Sequence, residues 1–512
     1  MSLREKVGKY EFLLMVLVVF AFFLPLGLYP LFDLDEGAFS EATREMLISG
    51  NYITTYLNGV PRFDKPILIY WLQALSVKIF GLNEFAFRFP SALAAAFWAA
   101  GIYFFTKKYF GRRSAIFATL FMVSSLQINM IAKAAIADAL LNMFIAFSMF
   151  SLWIFIEKKE NKYIYLSFLF IGFGTLTKGP VAILIPLATF FFYSLFTRNL
   201  GKFFKAFFNL KGIAIFSAVA LPWYILEYLD QGMNFVRGFF LKHNLERFKK
   251  PLEKHSGSFL YYVPVILTGL LPFTTLFLSF LKRMKEFLYK DIGLFLSIWF
   301  FFVFLFFSFS GTKLPHYVIY GYTPVFIFMG AVFDKFYKGV DLKLVVPPLI
   351  LLIFLFFFPD IAVFSKRFIK DMYIKALLDG VPEYFNFTYR VLIAVCGGVI
   401  LAIPFIKLDR VVKLFIVSFS FLFVVNYVVA PSYANVVQLP IKEAGLIAKD
   451  KGYKVVMYGL NVPSFIVYSE RLVEKRKPKK GDVVLTKISK LKNIKSYEII
   501  YHKNGIYLIK VK

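Results

Sequence analysis

The chain has 512 residues, 59% of them hydrophobic and 20% aromatic, with 68 Phe, one Cys and a formal net charge of +29. A soluble protein of this length would divide into two or three domains and be about half apolar; here the mean hydropathy is +0.67, and the excess comes as repeated apolar runs long enough to cross about 30 Å of hydrocarbon. The single Cys396 excludes an intramolecular disulfide and a thiolate metal cluster, and the positive charge sits in short Lys/Arg clusters between apolar runs, without any nucleic-acid-binding motif, which excludes a nucleic-acid partner and implies contact with anionic headgroups.

In chain order, the first apolar run (about 12–30) lacks a small-residue cleavage site and is expected to remain as a signal anchor. Further spans are expected near 89–106, 114–131, 138–156, 163–178, 180–197, 212–229, 258–280, 291–309, 316–333, 344–358, 389–406 and 412–430, about thirteen in all. Segment 67–80 (ILIYWLQALSVKIF) is apolar but short, and is expected to lie at the membrane interface. The clusters Arg4/Lys6/Lys9, Lys107/Lys108/Arg112/Arg113, Lys158/Lys159/Lys162, Arg198/Lys202/Lys205, Lys282/Arg283/Lys285, Lys335/Lys338 and Lys407/Arg410/Lys413 fall on alternate connections. The positive-inside rule makes those connections cytoplasmic. The N terminus is then inside and, with an odd number of spans, the C-terminal tail outside. The opposite face carries the longer connections 31–66, 230–257 and 359–388. In the tail, KVVMYGL and DVVLTKI alternate like strands, IKEAGLIAKDKG reads as a helix ending at Gly452, and Asn504-Gly505 signals a two-residue hairpin. The expected organisation is an α-helical polytopic membrane domain over 1–430 and a small α/β extracytoplasmic domain over 431–512. The chain carries no strong internal repeat, which weighs against an inverted-repeat transporter.

The unusual polar residues collect on the outer face. Asp33, Asp35 and Glu36 follow the first span at interface depth, where a carboxylate needs a partner or a purpose. Glu41, Arg44 and Glu45 suit one amphipathic helix with Phe39, Met46 and Leu47 on the membrane surface, or equally a solvated helix face. Arg62-Phe63-Asp64-Lys65-Pro66 sets a carboxylate beside an ammonium, suited to a phosphate or to a metal with a phosphate, and also readable as an ordinary loop. Asp138 opens an apolar span, where capping accounts for it, and Lys178 closes one, where snorkelling is the default. The loop around 236–257 holds His243 and His255 with Arg247, Lys249 and Lys250; basic residues there suit an anionic ligand or anionic lipid, and His with Asp or Glu suits a divalent ion, although no metal-specific spacing is present. Lys313 and His316 mark another outer boundary. Four loops thus supply cations, acids and histidines to one face.

The runs DLDEGAFSEATREMLISGNYITTYLNG, FDKPILIYWLQA, FAFRFPSALAA, AIADALL, LTKGP, KHNLERF, HSGSFLYYVPV and SGTKLPHYVIYGYTP resemble, in order, the pattern of GT-C glycosyltransferases, and most nearly the bacterial aminoarabinose (lipid A) transferases, relatives of the protein O-mannosyltransferases. The resemblance covers about residues 10–335. It implies an inner-membrane enzyme of a bacterium that moves a sugar from a polyprenyl-phosphate carrier, with inversion, to lipid A, another glycolipid or a protein hydroxyl outside the cytoplasm. It implies that Asp35 faces the reacting sugar, that Asp138 is a second cavity acid, and that Asp64-Lys65 matches an acid–lysine pair at the carrier phosphate, with Asp in place of the more usual Glu. Lys65, Arg247, Lys178 and Lys313 are the implied phosphate-binding cations, and Asp64, His243 and His255 the implied ligands of a divalent ion (Zn, Mg or Mn). A lipid-linked-sugar transporter is the rival from another class; it would want its acids at the bilayer midplane, whereas these cluster at one interface.

Overall fold

A computed structural model describes residues 3–246 and 257–512. Every one of the thirteen expected apolar segments is wholly or largely helical. Among the described residues, eight helices are long and apolar enough to cross a membrane: Glu84–Phe110 (α4), Asp138–Lys158 (α7), Leu210–Gln231 (α11), Asp291–Phe309, Pro315–Phe336, Leu342–Phe368, Phe387–Phe405 and Arg410–Val437. The pair Arg112–Ser124 (α5) and Leu126–Ala132 (α6) makes a ninth if taken as one span bent by 68°. The other expected spans are shorter or less apolar helices: Leu3–Val18 (α1), Asn161–Lys178 (α8), Val181–Phe196 (α9), and the stretch 258–280, which is broken around Pro272 into Tyr262–Gly269 and Thr274–Leu288. Proline supplies no amide hydrogen and ends the helical ladder there. Segment 67–80 forms the short helix Leu68–Phe80 (α3).

Two local devices position the residues at the end of the bundle that carries Asp138 and Lys178. The first is the α7/α8 hairpin, in which antiparallel helices turn at Lys159 (φ 60°) so that the first residue of α7, Asp138, lies beside the last of α8, Lys178. The second is the anchor of Asp35–Ser49 (α2). Arg88, fully buried on α4, donates to both carboxylate oxygens of Glu36 (2.9 and 2.8 Å) and to the carbonyls of Leu26, Tyr29 and Pro30 (2.8 Å each). All five guanidinium N–H groups are thereby used. Glu36 also accepts from the backbone N–H of Phe32 (2.8 Å) and Ala135 (2.7 Å). Its role is therefore to hold the loop before α2 against α4 and the turn before α7.

α2 does not lie on a membrane surface. Phe39, Glu41, Arg44 and Met46 are all buried, Arg44 grips Glu41 through two hydrogen bonds (2.8 and 2.7 Å), and the helix is covered by Pro463–Ser469 of the C-terminal region, so the amphipathic reading gives way to a buried helix. That region is a five-stranded sheet in the order β4-β3-β5-β7-β6, built from Val455–Tyr458 (β3), Glu474–Lys475 (β4), Val483–Lys487 (β5), Tyr497–Lys503 (β6) and Ile506–Val511 (β7). β4, β3 and β5 run parallel, while β7 is antiparallel to β5 and β6. Asn504 and Gly505 both take positive φ in the β6–β7 hairpin, as a type I′ turn requires. The sheet domain is tied to this end of the helical bundle by Asn58 with Val473, by Tyr468 with Leu31 and Glu84, and by Lys442 with Glu84 (2.6 Å).

Asp33 is a further tie: it accepts from the Ser464 backbone N–H (2.9 Å) and hydroxyl (2.5 Å). Burial pushes its carboxyl up to about 7; the two Ser464 bonds oppose this and the Glu36 charge adds to it. The ordinary value is 3.8. Because the folded-state value is the higher, its contribution is full below about pH 4 and is lost as pH rises through about 7. Hydrogen exchange at Pro463–Ser469 should therefore quicken between pH 5 and pH 8 beyond the intrinsic pH effect, and Asp33→Asn should flatten that dependence; an unchanged pH dependence in the variant would show that Asp33 does not titrate there.

Candidate active site

The hairpin Tyr56–Leu57 (β1) and Val60–Pro61 (β2), turned by Asn58-Gly59 with both φ positive, delivers Arg62, Phe63, Asp64 and Lys65 to the end of the helices where Asp138 and Lys178 meet. The Arg62 backbone N–H donates to the Thr55 carbonyl (2.8 Å), and the Thr55 hydroxyl to the Arg62 carbonyl (2.6 Å), which fixes the strand leaving the hairpin. The Arg62 guanidinium sits 5.0 Å above the Phe39 ring of α2 and donates to Asp64 (3.1 Å). From the other side, the helical segment Val236–Glu246 brings His243, whose Nε2 lies 2.8 Å from the second Asp64 oxygen. Gly238 makes this approach feasible, since a Cβ there would stand 2.7 Å from the Phe63 ring. Burial raises the Asp64 pKa, but the His243 hydrogen bond and the charges of Arg62 and Lys65 outweigh it and hold the carboxyl well below the usual carboxylate range.

Asp138 is buried at the first turn of α7, where the helix dipole favours a carboxylate by roughly 0.3–1 kcal/mol. Capping alone does not satisfy it. Lys178 donates to it at 2.6 Å, the Tyr320 hydroxyl at 3.1 Å, and His316 Nε2 stands 3.9 Å away. A buried carboxylate is tolerated when paired and hydrogen-bonded in this way. The Lys178 ammonium also faces the rings of Tyr317 (5.6 Å) and Tyr320 (5.5 Å). Gly179 at φ +84° ends α8 under the Phe239 ring, 2.6 Å from where a Cβ would stand, and Pro180 leads into α9.

These groups open onto one cavity of about 380 Å³. Asp64, Lys65, Lys178 and His243 lie at its polar part, Tyr317 and Tyr320 beside them, and Val181, Leu184, Phe240 and Phe306 form an apolar wall. Lys65 donates to the Asp64 carbonyl (3.1 Å), and its charge reaches Asp138 and His316. Asp35 is exposed at the start of α2; its carboxylate makes no side-chain hydrogen bond to a described residue, and its charge is felt by Arg62 and His316. Lys313 is buried behind the wall, donating to the carbonyl of Ser310 (2.7 Å), which lines the cavity. Arg247 and His255 lie outside the described residues.

The expected residues thus divide. Asp64, Lys65, Lys178 and His243 share a cavity, Asp138 backs Lys178, Asp35 stands within electrostatic reach, and Lys313 supports a wall. Sequence reasoning did not link Arg62, His316 and Tyr320 to the acids they contact; the only signal was their place beside Asp64 and in the SGTKLPHYVIYGYTP run. Metal ligation finds little support in the donors. Asp64 and His243 bond each other, and among the described residues no group of three or more His, Cys, Asp or Glu side chains converges, whereas a protein metal site of this kind uses at least three.

Residues 64–225 match the family model described as dolichyl-phosphate-mannose-protein mannosyltransferase. The whole fold matches the crystal structure of ArnT from Cupriavidus metallidurans bound to undecaprenyl phosphate, with a TM-score of 0.80 at 18% identity over 99% of this chain and 98% of that one. The fold is accordingly that of a GT-C-type polytopic membrane protein. In sequence, the chain is 32% identical over 350 residues to an uncharacterised protein of Aquifex aeolicus, covering 68% of this chain and 79% of that relative. It is 30% identical over 346 residues to the undecaprenyl phosphate-alpha-4-amino-4-deoxy-L-arabinose arabinosyl transferase of Wigglesworthia glossinidia brevipalpis, covering 65% of this chain and 60% of the relative. The arabinosyl transferase of Aeromonas hydrophila matches at 32% over 61% of this chain and 58% of its own length, so the aligned region spans somewhat under two thirds of these curated relatives. The chain belongs to the GT-C family of aminoarabinose-transferase-like membrane proteins.

Proposed function

We propose that the chain is a polyprenyl-phosphate-sugar-dependent glycosyltransferase that transfers an aminoarabinose-like sugar to lipid A or a related acceptor. The observation that carries this reading is the cavity itself: Lys65 and Lys178 meet an apolar wall, the combination a lipid-linked phosphate requires, and the Asp35 charge is felt by His316 beside Asp138. The relatives named as undecaprenyl phosphate-aminoarabinose arabinosyl transferases support the donor class.

In the proposed reaction an acceptor oxygen attacks the anomeric carbon as its bond to the carrier phosphate breaks. The bonding pair leaves with the phosphate oxygen, and the configuration inverts. Positive charge develops on the sugar and negative charge on the departing phosphate. Lys65 and Lys178 stabilise the latter, a term often the largest in such catalysis. Asp138 keeps the Lys178 ammonium aimed. Asp35 balances the sugar's charge, and takes the proton if the acceptor is a hydroxyl; a lipid A phosphate is already ionised and needs no base. A divalent ion would need donors beyond Asp64 and His243, so no step is routed through one.

The proposed orientation puts the N terminus in the cytoplasm and the cavity and sheet domain outside. It is supported by the basic turn Lys158–Lys162, which lies at the far end of the α7/α8 hairpin from Asp138 and Lys178. The test is transfer of labelled sugar from a polyprenyl-phosphate donor to lipid A and to hydroxyl-bearing peptides by purified protein. Asp35→Ala should lower transfer to lipid A at least about tenfold, and Asp138→Asn about 10²-fold through the loss of an aimed Lys178. Transfer to peptide alone would move the acceptor to protein. Translocation of the lipid-linked sugar without any transfer would replace the enzyme by a transporter.

A further inference from the structure

A second cavity runs along α8 and α9 toward the opposite end of the helical bundle. Ile164 lies near the start of α8, about 20 Å along its axis from Lys178 at 1.5 Å per residue. With Leu152, Ser167, Pro186, Phe203 and Ile213 it lines a space of about 270 Å³, in which Ser167 is the one lining residue with a polar side chain. Such walls accept hydrocarbon and have nothing to offer a headgroup.

The rim has the contrary character. The helix Leu200–Phe207 (α10) buries Phe203 and Ala206 against α9, with the Phe190 and Phe203 rings 5.7 Å apart. Its other side exposes Lys202 and Lys205, while Phe204 and the following Phe208 are also exposed, as on a helix lying in a membrane interface. Arg198 precedes α10 and Lys211 follows it, both exposed, and the stretch 197–211 contains no Asp or Glu. Two nearby acids at this end are engaged elsewhere, Glu157 with Lys108 (3.0 Å) and Glu160 with Lys162 (2.6 Å). Among the described residues none of the four cations has an ion-pair partner.

We propose that this cavity and its rim bind one anionic phospholipid, an acyl chain in the cavity and the phosphate headgroup on Lys202, Lys205, Arg198 and Lys211. The apolar walls select a lipid over a soluble anion, and four unmatched charges select an anionic headgroup over a zwitterionic one. The site is separate from the carrier cavity: no residue lines both, and along α9 Val181 and Leu184 line the carrier cavity whereas Ile183, Pro186, Leu187 and Phe190 line this one.

Native mass spectrometry of the full chain, released from detergent with phosphatidylglycerol or phosphatidylcholine of matched acyl chains, tests this. Retention of one phosphatidylglycerol in preference to phosphatidylcholine is expected. Lys202→Gln and Lys205→Gln should each weaken the preference roughly fivefold, as expected for about one surface charge apiece. Ile213→Trp at the cavity rim, or Ser167→Phe within it, should abolish the one-lipid stoichiometry with the cations intact; melting in detergent identifies either variant that misfolds, and the other then decides. Equal retention of both lipids, or a preference unchanged by the charge variants, overturns the headgroup assignment. Retention unchanged in a folded cavity variant overturns the acyl-chain assignment.

Discussion

Lys65→Ala should lower the rate of sugar transfer about 10²–10³-fold, the loss typical when one preorganised donor to a developing anion is removed. Lys65 stands in the cavity with Lys178, and its charge reaches both Asp138 and His316, so it belongs to a single electrostatic unit. Lys178 is already committed to Asp138 at 2.6 Å, which leaves part of its charge neutralised in the ground state. Lys65 is held to the Asp64 backbone carbonyl, while the Asp64 carboxylate is occupied by Arg62 and His243. Both lysines line the polar part of the cavity, where the departing phosphate would sit. The loss should fall on turnover, with the acceptor's KM little changed, because the charge Lys65 answers develops only as the bond breaks. Lys65→Arg should recover part of the rate by restoring charge without the geometry of a compact ammonium. A rate for Lys65→Ala within about twofold of the parent, measured on folded protein, would remove Lys65 from the phosphate site.

What the sequence made legible follows from how local each feature is. Apolar runs of spanning length report helices directly, and all thirteen segments are wholly or largely helical; the break at Pro272 has its breaker in the sequence, whereas the 68° bend between α5 and α6 falls at Ser125 with neither proline nor glycine. The Asn504-Gly505 hairpin is equally local, and the same signal stands at Asn58-Gly59, where it aims Asp64 and Lys65. The acids and cations of the loops around the cavity were visible as types. Their partners were not, because each pairing depends on helix packing: Arg88 meets Glu36 across 52 positions, and Tyr320 meets Asp138 across 182. Asp138 looked adequately explained as a helix cap until α8 brought Lys178 beside it. Glu41 and Arg44 looked like a solvated or membrane-facing helix until the C-terminal domain covered them. Lys313 carried the charge of a ligand-binding residue, yet its ammonium donates to a backbone carbonyl behind the cavity wall.

Arg88→Met should destabilise the folded protein by about 3–5 kcal/mol, the usual cost of stranding a buried charge. Glu36 would lose both of its guanidinium contacts and keep only two backbone donors, and the carbonyls of Leu26, Tyr29 and Pro30 would lose theirs. Those carbonyls belong to the turn that carries the chain from the first helix to α2, so α2 and the Asp35 carboxylate at its start would lose their anchor. The consequence for function is distinct from that of Lys65: transfer should fall because the site is disorganised, and the melting temperature in detergent should fall with it. The double variant Glu36→Gln/Arg88→Met removes the stranded charge and should recover part of the stability but none of the positioning. A cycle of the two singles and the double should therefore show strong coupling in melting. If Arg88→Met melts like the parent, the pair is not holding the loop. If the double variant regains full transfer, the anchor does not position Asp35.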